Sequence, residues 1–365
     1  MINSLLIISI LVWPFGQLLT LTPFGNTLRV QLLDLLSVLL FISLIFTSRK
    51  NILKTPLFKP FVLFILAALA SLIANPDSIS LVGVGYFLRF VSYTSFYFAF
   101  RIQGIKKYSR HLIIAAGLFL AIGLLQYFFL PDVRFLRYLG FDDHYYRLIG
   151  SFFDPNFTGL VLAVLVVLTP WSARLRAKPA AWPARLVLLI ALVLTFSRAS
   201  FLALATGLVY LSLTTRRFKL LLILALLGLL LYLSPKPFGE GVNLLRTFSI
   251  TSRLMNQRNA LLMFAQKPLF GHGFNNLKQT NGNLIPNLSS GVDNSFLFVL
   301  VTTGLTGFAA FLYLLKTAYR GLGSPIVRTT MVMILVHSIF NNSFFYSWIL
   351  APFFLLISST AKRSA

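Results

Sequence analysis

The chain has 365 residues, 57% hydrophobic and only 11% charged, and carries a net charge of +24. Its apolar runs recur at the ~20-residue length that crosses a bilayer core, so the composition describes an all-α polytopic membrane protein and excludes a large soluble catalytic domain fed by a soluble nucleotide donor. The positive charge belongs to loops that set membrane orientation and calls for no nucleic acid, and with no cysteine there are neither disulfides nor thiolate metal sites.

Hydropathy places about twelve transmembrane helices in chain order, near 4–21, 29–47, 58–74, 79–100, 111–130, 156–172, 182–196, 199–214, 218–234, 294–315, 327–343 and 345–360. The first run lacks a basic leader and a small-residue cleavage site, so it reads as a retained helix. The short seventh and eighth runs allow a hairpin whose tip, at Ser197-Arg198, lies inside the bundle. Two longer loops remain, 131–155 and 235–293. With both termini inside, each short inner loop is basic: Arg49, Lys50, Lys54 and Lys59; Arg101, Lys106, Lys107 and Arg110; Arg174, Arg176, Lys178 and Arg185; Arg216, Arg217 and Lys219; Lys316, Arg320 and Arg328; Lys362 and Arg363. The acids Asp77, Asp132, Asp142, Asp143, Asp154, Glu240 and Asp293 fall outside. Both long loops are therefore expected on the outer face. No internal repeat or low-complexity linker divides the chain, and a single transmembrane domain over 1–365 is the economical reading.

Those outer loops also hold basic residues that orientation does not explain: Arg134, Arg137 and Arg147 in the first, and Arg246, Arg253, Arg258, Lys267 and Lys278 in the second. An anionic substrate at the outer surface would explain them. Arg198, at a span end, offers a planar fork for phosphate oxygens, or else reaches to lipid headgroups. Arg253 opens an amphipathic helix, Ser252 to Gln266, with Leu254, Leu261, Leu262 and Ala265 on one apolar face. Pro268 ends that helix, and Gly271 and Gly273 bracket His272 in a tight turn. Asp293 is either a helix cap or a surface carboxylate able to take a proton. Asp154 and Pro155 suit a helix start, near Arg147 and Gly150. Arg89, mid-span, needs a polar cavity or a partner, with Asp34 the candidate. His337 beside Asn341 and Asn342 reads as a hydrogen-bonded bundle histidine. Asp142-Asp143-His144 are adjacent loop residues, a poor basis for a metal site, and no metal or cofactor is expected.

Taken in order, these blocks resemble the bacterial O-antigen ligase and O-antigen polymerase superfamily of membrane glycosyltransferases. Asp293-Asn294, nine residues, then Gly304-Leu305-Thr306-Gly307 is similar to the ligases' His-[Asn/Ser/Gln]…Gly-x-x-Gly signature, with Asp293 in place of the histidine. Arg253 followed by Pro268-Leu269-Phe270-Gly271-x-Gly273 resembles a second block; Arg147-x-x-Gly150…Pro155-Asn156 and Ser197-Arg198 resemble two more. The likeness covers about 145–315. The usual aromatic four residues after the loop arginine is Gln257 here.

The resemblance implies transfer of a glycan from a polyprenyl (undecaprenyl) diphosphate carrier to a sugar hydroxyl at the outer face of the bacterial inner membrane, without metal. The reading leans to a repeat-unit polymerase in cell-surface polysaccharide biosynthesis, because of Asp293. A ligase acting on lipid A-core or another terminal acceptor is the alternative. Arg253 and Arg198 are expected to hold the diphosphate, Arg147 or Arg258 to assist, Asp293 to accept or orient the acceptor hydroxyl, and Asn294 and His272 to contact substrate. A lipid-linked oligosaccharide flippase would instead spread charge through a central cavity between related halves. An inert scaffold would leave the outer arginines without a purpose.

Overall fold

In the computed structural model, residues 1–21, 29–76, 79–169, 181–235, 239–277 and 291–359 are described. Of the charges used to orient the chain, Asp77, Arg174, Arg176, Lys178, Lys278, Lys362 and Arg363 lie outside them. Each of the twelve apolar runs is helical: α1 (Ile2–Val12), α2 (Leu32–Leu53), α3 (Phe58–Ile73), α4 (Leu81–Gln103), α5 (Ser109–Phe129), α6 (Pro155–Leu168), α7 (Ala181–Leu194), α8 (Arg198–Thr215), α9 (Leu222–Leu233), α11 (Ser295–Gly321), α12 (Pro325–His337) and α13 (Ser347–Ile357). The amphipathic segment forms α10 (Phe248–Gln266). Among the described residues, four helical stretches are long and apolar enough to cross a membrane unaided: Ile2–Leu19, Leu32–Leu53, Ile105–Phe129 and Ser295–Gly321. Most of the others are shorter apolar helices of 10–17 residues.

The first run is not one α-helix. Pro14 starts a 3-10 segment, Trp13–Leu19, which turns at Gly16 and leads into a two-stranded antiparallel pair, Thr20–Leu21 with Val30–Gln31. α2 packs along α4, α3 along α11, and α8 along both α6 and α12. Phenylalanines fill the space between them: Phe64, Phe90, Phe274, Phe298, Phe311 and Phe345 meet at centroid separations of 4.7–6.5 Å, a range in which edge-to-face and tilted pairs add to apolar burial. Outward-facing Leu35, Leu39, Ile42 and Phe46 on α2, or Phe128 and Phe129 on α5, present the apolar surface a bilayer requires.

The α7–α8 hairpin has its tip inside the bundle, with Thr195, Phe196 and Ser197 all buried. Ser197 caps α8 by accepting from the Ser200 amide at 3.3 Å and donates to Asn156 Oδ1 at 3.0 Å.

α10 begins about one turn before Ser252. Its packed stripe is Asn256, Ala260 and Met263, whereas Leu254, Leu261 and Leu262 are exposed, Leu254 at 61%. The apolar face read from sequence therefore points away from the protein, as expected of a helix lying in the bilayer interface.

The segment after α10 locks onto a break in α11. Gly304 interrupts that helix with φ +65° and ψ −165°, a conformation reserved to glycine. Amides orphaned by the break find carbonyls on the loop: Leu305 N donates to Pro268 O at 2.8 Å and Thr306 N to Leu269 O at 3.3 Å. In return His272 N donates to Val301 O and Gly273 N to Thr302 O, both at 3.0 Å. Asn75, from the end of α3, ties in by donating to Gly271 O at 3.0 Å. The backbones approach so closely that a Cβ on Gly304 would stand 2.6 Å from Phe270 N, and one on Gly271 2.5 Å from the Thr302 carbonyl carbon. Pro268–Gly273 and Gly304–Gly307, two separate motifs in the sequence, are one interlocked unit in space. Gly304→Ala is expected to destabilise the protein by about 3 kcal/mol or more through clash and backbone strain. Thermal unfolding in detergent measures it, and a wild-type midpoint would disprove the lock.

Candidate functional site: an arginine-lined cavity

A cavity of about 830 Å³ opens between the long loops and α4, α8, α10 and the α12–α13 turn. Arg29, Arg89, Arg147, Arg198, Arg246 and Arg253 line it, facing Asp142, Asp143, Asp154 and Asp293. Guanidinium groups differ in how many of their five N–H groups the protein already occupies, and that difference ranks them.

Arg198, at the first turn of α8, spends Nη1 on Leu244 O (3.1 Å) and Arg246 O (2.9 Å), and Nη2 on Ser249 Oγ (2.6 Å). Arg246 in turn donates to Gly241 O at 2.6 Å and Asn243 O at 3.0 Å. Arg147, only 5% exposed, donates from Nε to Thr195 O at 2.9 Å and from Nη2 to Phe196 O at 3.4 Å. These arginines pin the outer loops to the hairpin tip as well as charging the cavity. Arg253 makes one side-chain bond among the described residues, Nη2 to Asn341 Oδ1 at 3.1 Å. Most of its fork remains available to a ligand.

Asp293 stands beside it. The cap of α11 is Asn294, whose Oδ1 accepts from Phe296 N at 2.8 Å and Leu297 N at 3.1 Å. Asp293 is thereby left uncommitted as a cap, and its carboxylate makes no hydrogen bond among the described residues. Its backbone amide donates to Asn256 Oδ1 at 3.1 Å, while Asn256 Nδ2 donates to Gly291 O at 2.9 Å. Asn256 lies one turn after Arg253, so α10 positions both the fork and the carboxylate. The α12–α13 turn completes the arrangement: Asn341, which accepts from Arg253, pairs through Nδ2 with His337 Nε2 at 3.3 Å, and His337 Nδ1 with Ser343 Oγ at 2.7 Å.

Crowding of charge shows in the protonation equilibria. Burial, then Arg246, pushes Arg147 down to about 9. Burial, then Arg147 and Arg246, pushes His144 down to about 3, so its imidazole is neutral at physiological pH. Burial raises Asp293 above the usual carboxylate range, opposed by Arg253 and assisted by Asp142. Among the described residues, His144 Nε2 and Asn342 Oδ1 are buried without a hydrogen-bond partner, and both residues line the cavity. Polar atoms of this kind await a ligand or water.

Three residues expected to contact substrate do not line the cavity. Arg258 is exposed on another face of α10, because five residues turn a helix well past the face of Arg253. His272, 2% exposed, donates from Nε2 to Met263 O at 2.8 Å and braces the end of α10. Asn294 is occupied as a cap. Asp142, Asp143 and His144 do line the cavity, yet no three His, Cys, Asp or Glu side chains converge as a metal site among the described residues. The sequence reading took Asn341 only as a neighbour of His337, although a polar doublet at the end of an apolar run carries the same signal that singled out Arg89. It also noted Arg246 only as loop charge and did not foresee the cavity role of Tyr86.

Residues 183–312 match the O-antigen ligase family. That match supports the resemblance to the O-antigen ligase/polymerase superfamily over this part of the chain. The matched stretch runs from α7 into α11 and contains Arg198, Arg253 and Asp293; Arg147 and Asn156 lie before it. No curated protein sequence matches the chain significantly. The match, together with the long apolar helices, supports a multi-pass membrane protein of glycan transfer in O-antigen biosynthesis.

Proposed function

We propose that this protein transfers a glycan from a polyprenyl diphosphate carrier to a sugar hydroxyl at the outer face of the bacterial inner membrane, as a repeat-unit polymerase that needs no metal. The observation that carries the reading is the convergence of Arg253, its fork largely unoccupied, and Asp293, its carboxylate unpartnered, in one arginine-lined cavity. A diphosphate leaves readily when its developing charge is neutralised, and guanidinium forks aimed at it supply that neutralisation. Arg253 binds it foremost, with Arg198 alongside through the N–H groups that the loop carbonyls leave. Asp293, held partly out of water, takes the proton from the acceptor hydroxyl as it attacks the anomeric carbon, while the C–O bond to the diphosphate breaks. Neutral His144 and Asn342 hydrogen-bond sugar. Both termini lie in the cytoplasm, which puts the cavity outside, and the whole chain acts as one transmembrane unit.

The test is reconstitution in proteoliposomes with the host's polyprenyl diphosphate repeat units, with Arg253→Ala and a parallel reaction on lipid A-core as controls. A product ladder that disappears in the variant supports polymerisation. A single shift seen only with lipid A-core would make the protein a ligase, and altered donor sidedness without any product would make it a flippase.

A further inference from the structure

The cavity has a second cationic group that donor binding does not use. Arg89, on α4, is 8% exposed and bonds through Nη2 alone, to Arg29 O at 2.6 Å and to Asp34 Oδ2 at 2.7 Å. Its Nε and Nη1 have no partner among the described residues, although the side chain lines the cavity. Asp34 is fully engaged elsewhere as well: Oδ1 accepts from Tyr93 OH at 2.9 Å, and Oδ2 also accepts from the Gln31 amide at 2.8 Å. These two bonds use both Nη2 hydrogens and fix the guanidinium, leaving the N–H groups of Nε and Nη1, on either side of it, to donate singly. The Tyr86 ring packs against it at 4.6 Å, setting its plane, and the Tyr86 hydroxyl makes no hydrogen bond among the described residues. Arg29 lies beside it, stacked over Phe141 at 4.0 Å and bonded through Nη2 to the Leu139 carbonyl. Both arginines come from the entry to α2 and from α4, whereas Arg198, Arg246 and Arg253 come from α8, the second long loop and α10.

We infer that Arg29, Arg89 and Tyr86 form a second oxyanion subsite, which holds a phosphate ester carried by the acceptor while Arg253 holds the diphosphate of the donor. The inference rests on the donor assignment made above. A guanidinium is costly at membrane depth, and one that is braced with Nε and Nη1 hydrogens unspent, beside a second arginine, suits an anion with several acceptor oxygens. Polymerisation brings two lipid diphosphates to the enzyme at once, and a phosphorylated lipid A-core would offer the same chemistry from another source.

Native mass spectrometry of the full chain in phosphatidylcholine nanodiscs, titrated with undecaprenyl diphosphate, separates the possibilities. Two equivalents are expected on the wild type. Arg253→Ala should lose one of them, and Arg29→Gln or Arg89→Lys the other. Arg89→Lys keeps the charge opposite Asp34, and Arg29→Gln tests the same subsite without touching that pair. A single equivalent, lost in Arg253→Ala and retained in both other variants, overturns the second subsite and leaves the donor assignment standing. No binding at all would overturn both. If monophosphoryl lipid A displaces only the equivalent that depends on Arg29 and Arg89, the subsite stands and its occupant is lipid A-core; if it displaces neither, the occupant is a second lipid-linked unit.

Discussion

Arg253→Ala is expected to lower the rate of glycan transfer about 100- to 1,000-fold while leaving the protein folded, because it removes from α10 a cavity arginine whose donors are mostly free for the leaving diphosphate. The other cavity arginines are poor substitutes. Arg198 is tied to Leu244 O, Arg246 O and Ser249 Oγ, and Arg147 to the carbonyls of the hairpin tip. Moving either onto the vacated position would break the bonds that hold the second long loop in place. Stability should barely change, since Arg253 contributes one hydrogen bond, to Asn341, worth about 1 kcal/mol. Arg253→Lys keeps the charge but not the planar fork, so it should fall between the wild type and the alanine variant. Initial rates in proteoliposomes, beside unfolding midpoints of the same preparations, measure both effects. A fully active Arg253→Lys would remove the bidentate argument. In Arg198→Ala, by contrast, activity and thermal stability should fall together, because that side chain also anchors the loop.

Asp293→Asn should reduce kcat by about 10²- to 10⁴-fold if the carboxylate takes the acceptor proton. Burial raises its proton affinity, so the working form, the carboxylate, is lost at a higher pH than for an ordinary aspartate. Wild-type activity should therefore decline as pH falls through that raised pKa, and the residual activity of Asp293→Asn should lack this acid limb. The stability sign runs the other way. A carboxyl whose folded-state pKa lies above its unfolded value stabilises the fold when protonated, and that contribution is lost as pH rises through the folded-state value. At neutral pH the neutral asparagine should be tolerated at no loss of stability, except as far as Asp293 gains from Arg253. An unchanged acid limb in the variant would assign the titration to another group.

How far the site could be read ahead of the structure differs from residue to residue. Arg253 stood out as a charge that orientation did not call for, Asp293 by its place in the signature before Gly304, and both line the cavity. Asp34 was a natural partner for Arg89 because a mid-span cation needs one, and the two meet at 2.7 Å. Either residue of an Asp-Asn pair can cap a helix; register, set by the bonds from Ser295 N to Ser338 O and from Asp293 N to Asn256 Oδ1, makes Asn294 the cap. Arg258 lies off the cavity because helical phase carries it past the face of Arg253, and His272 because its Gly-x-Gly turn locks onto a neighbouring helix, although such a turn looks the same in sequence when it opens on a ligand.

Local chemistry along the chain determined that this is a bundle of apolar helices, where each begins to within about a turn, and which long loops carry surplus positive charge. Those properties follow from hydrophobic period, helix breakers and the price of charge in a bilayer, all of which act over a few residues. Only the tertiary structure decided which arginines still have donors to offer, which side of α10 is packed, and that two glycine motifs form one lock. Each of these depends on carbonyls and side chains brought from elsewhere in the chain: Leu244 to Arg198, Asn341 to Arg253, Pro268 to Leu305. A guanidinium's availability is what remains after such contacts have been made, and no window of sequence around it contains them.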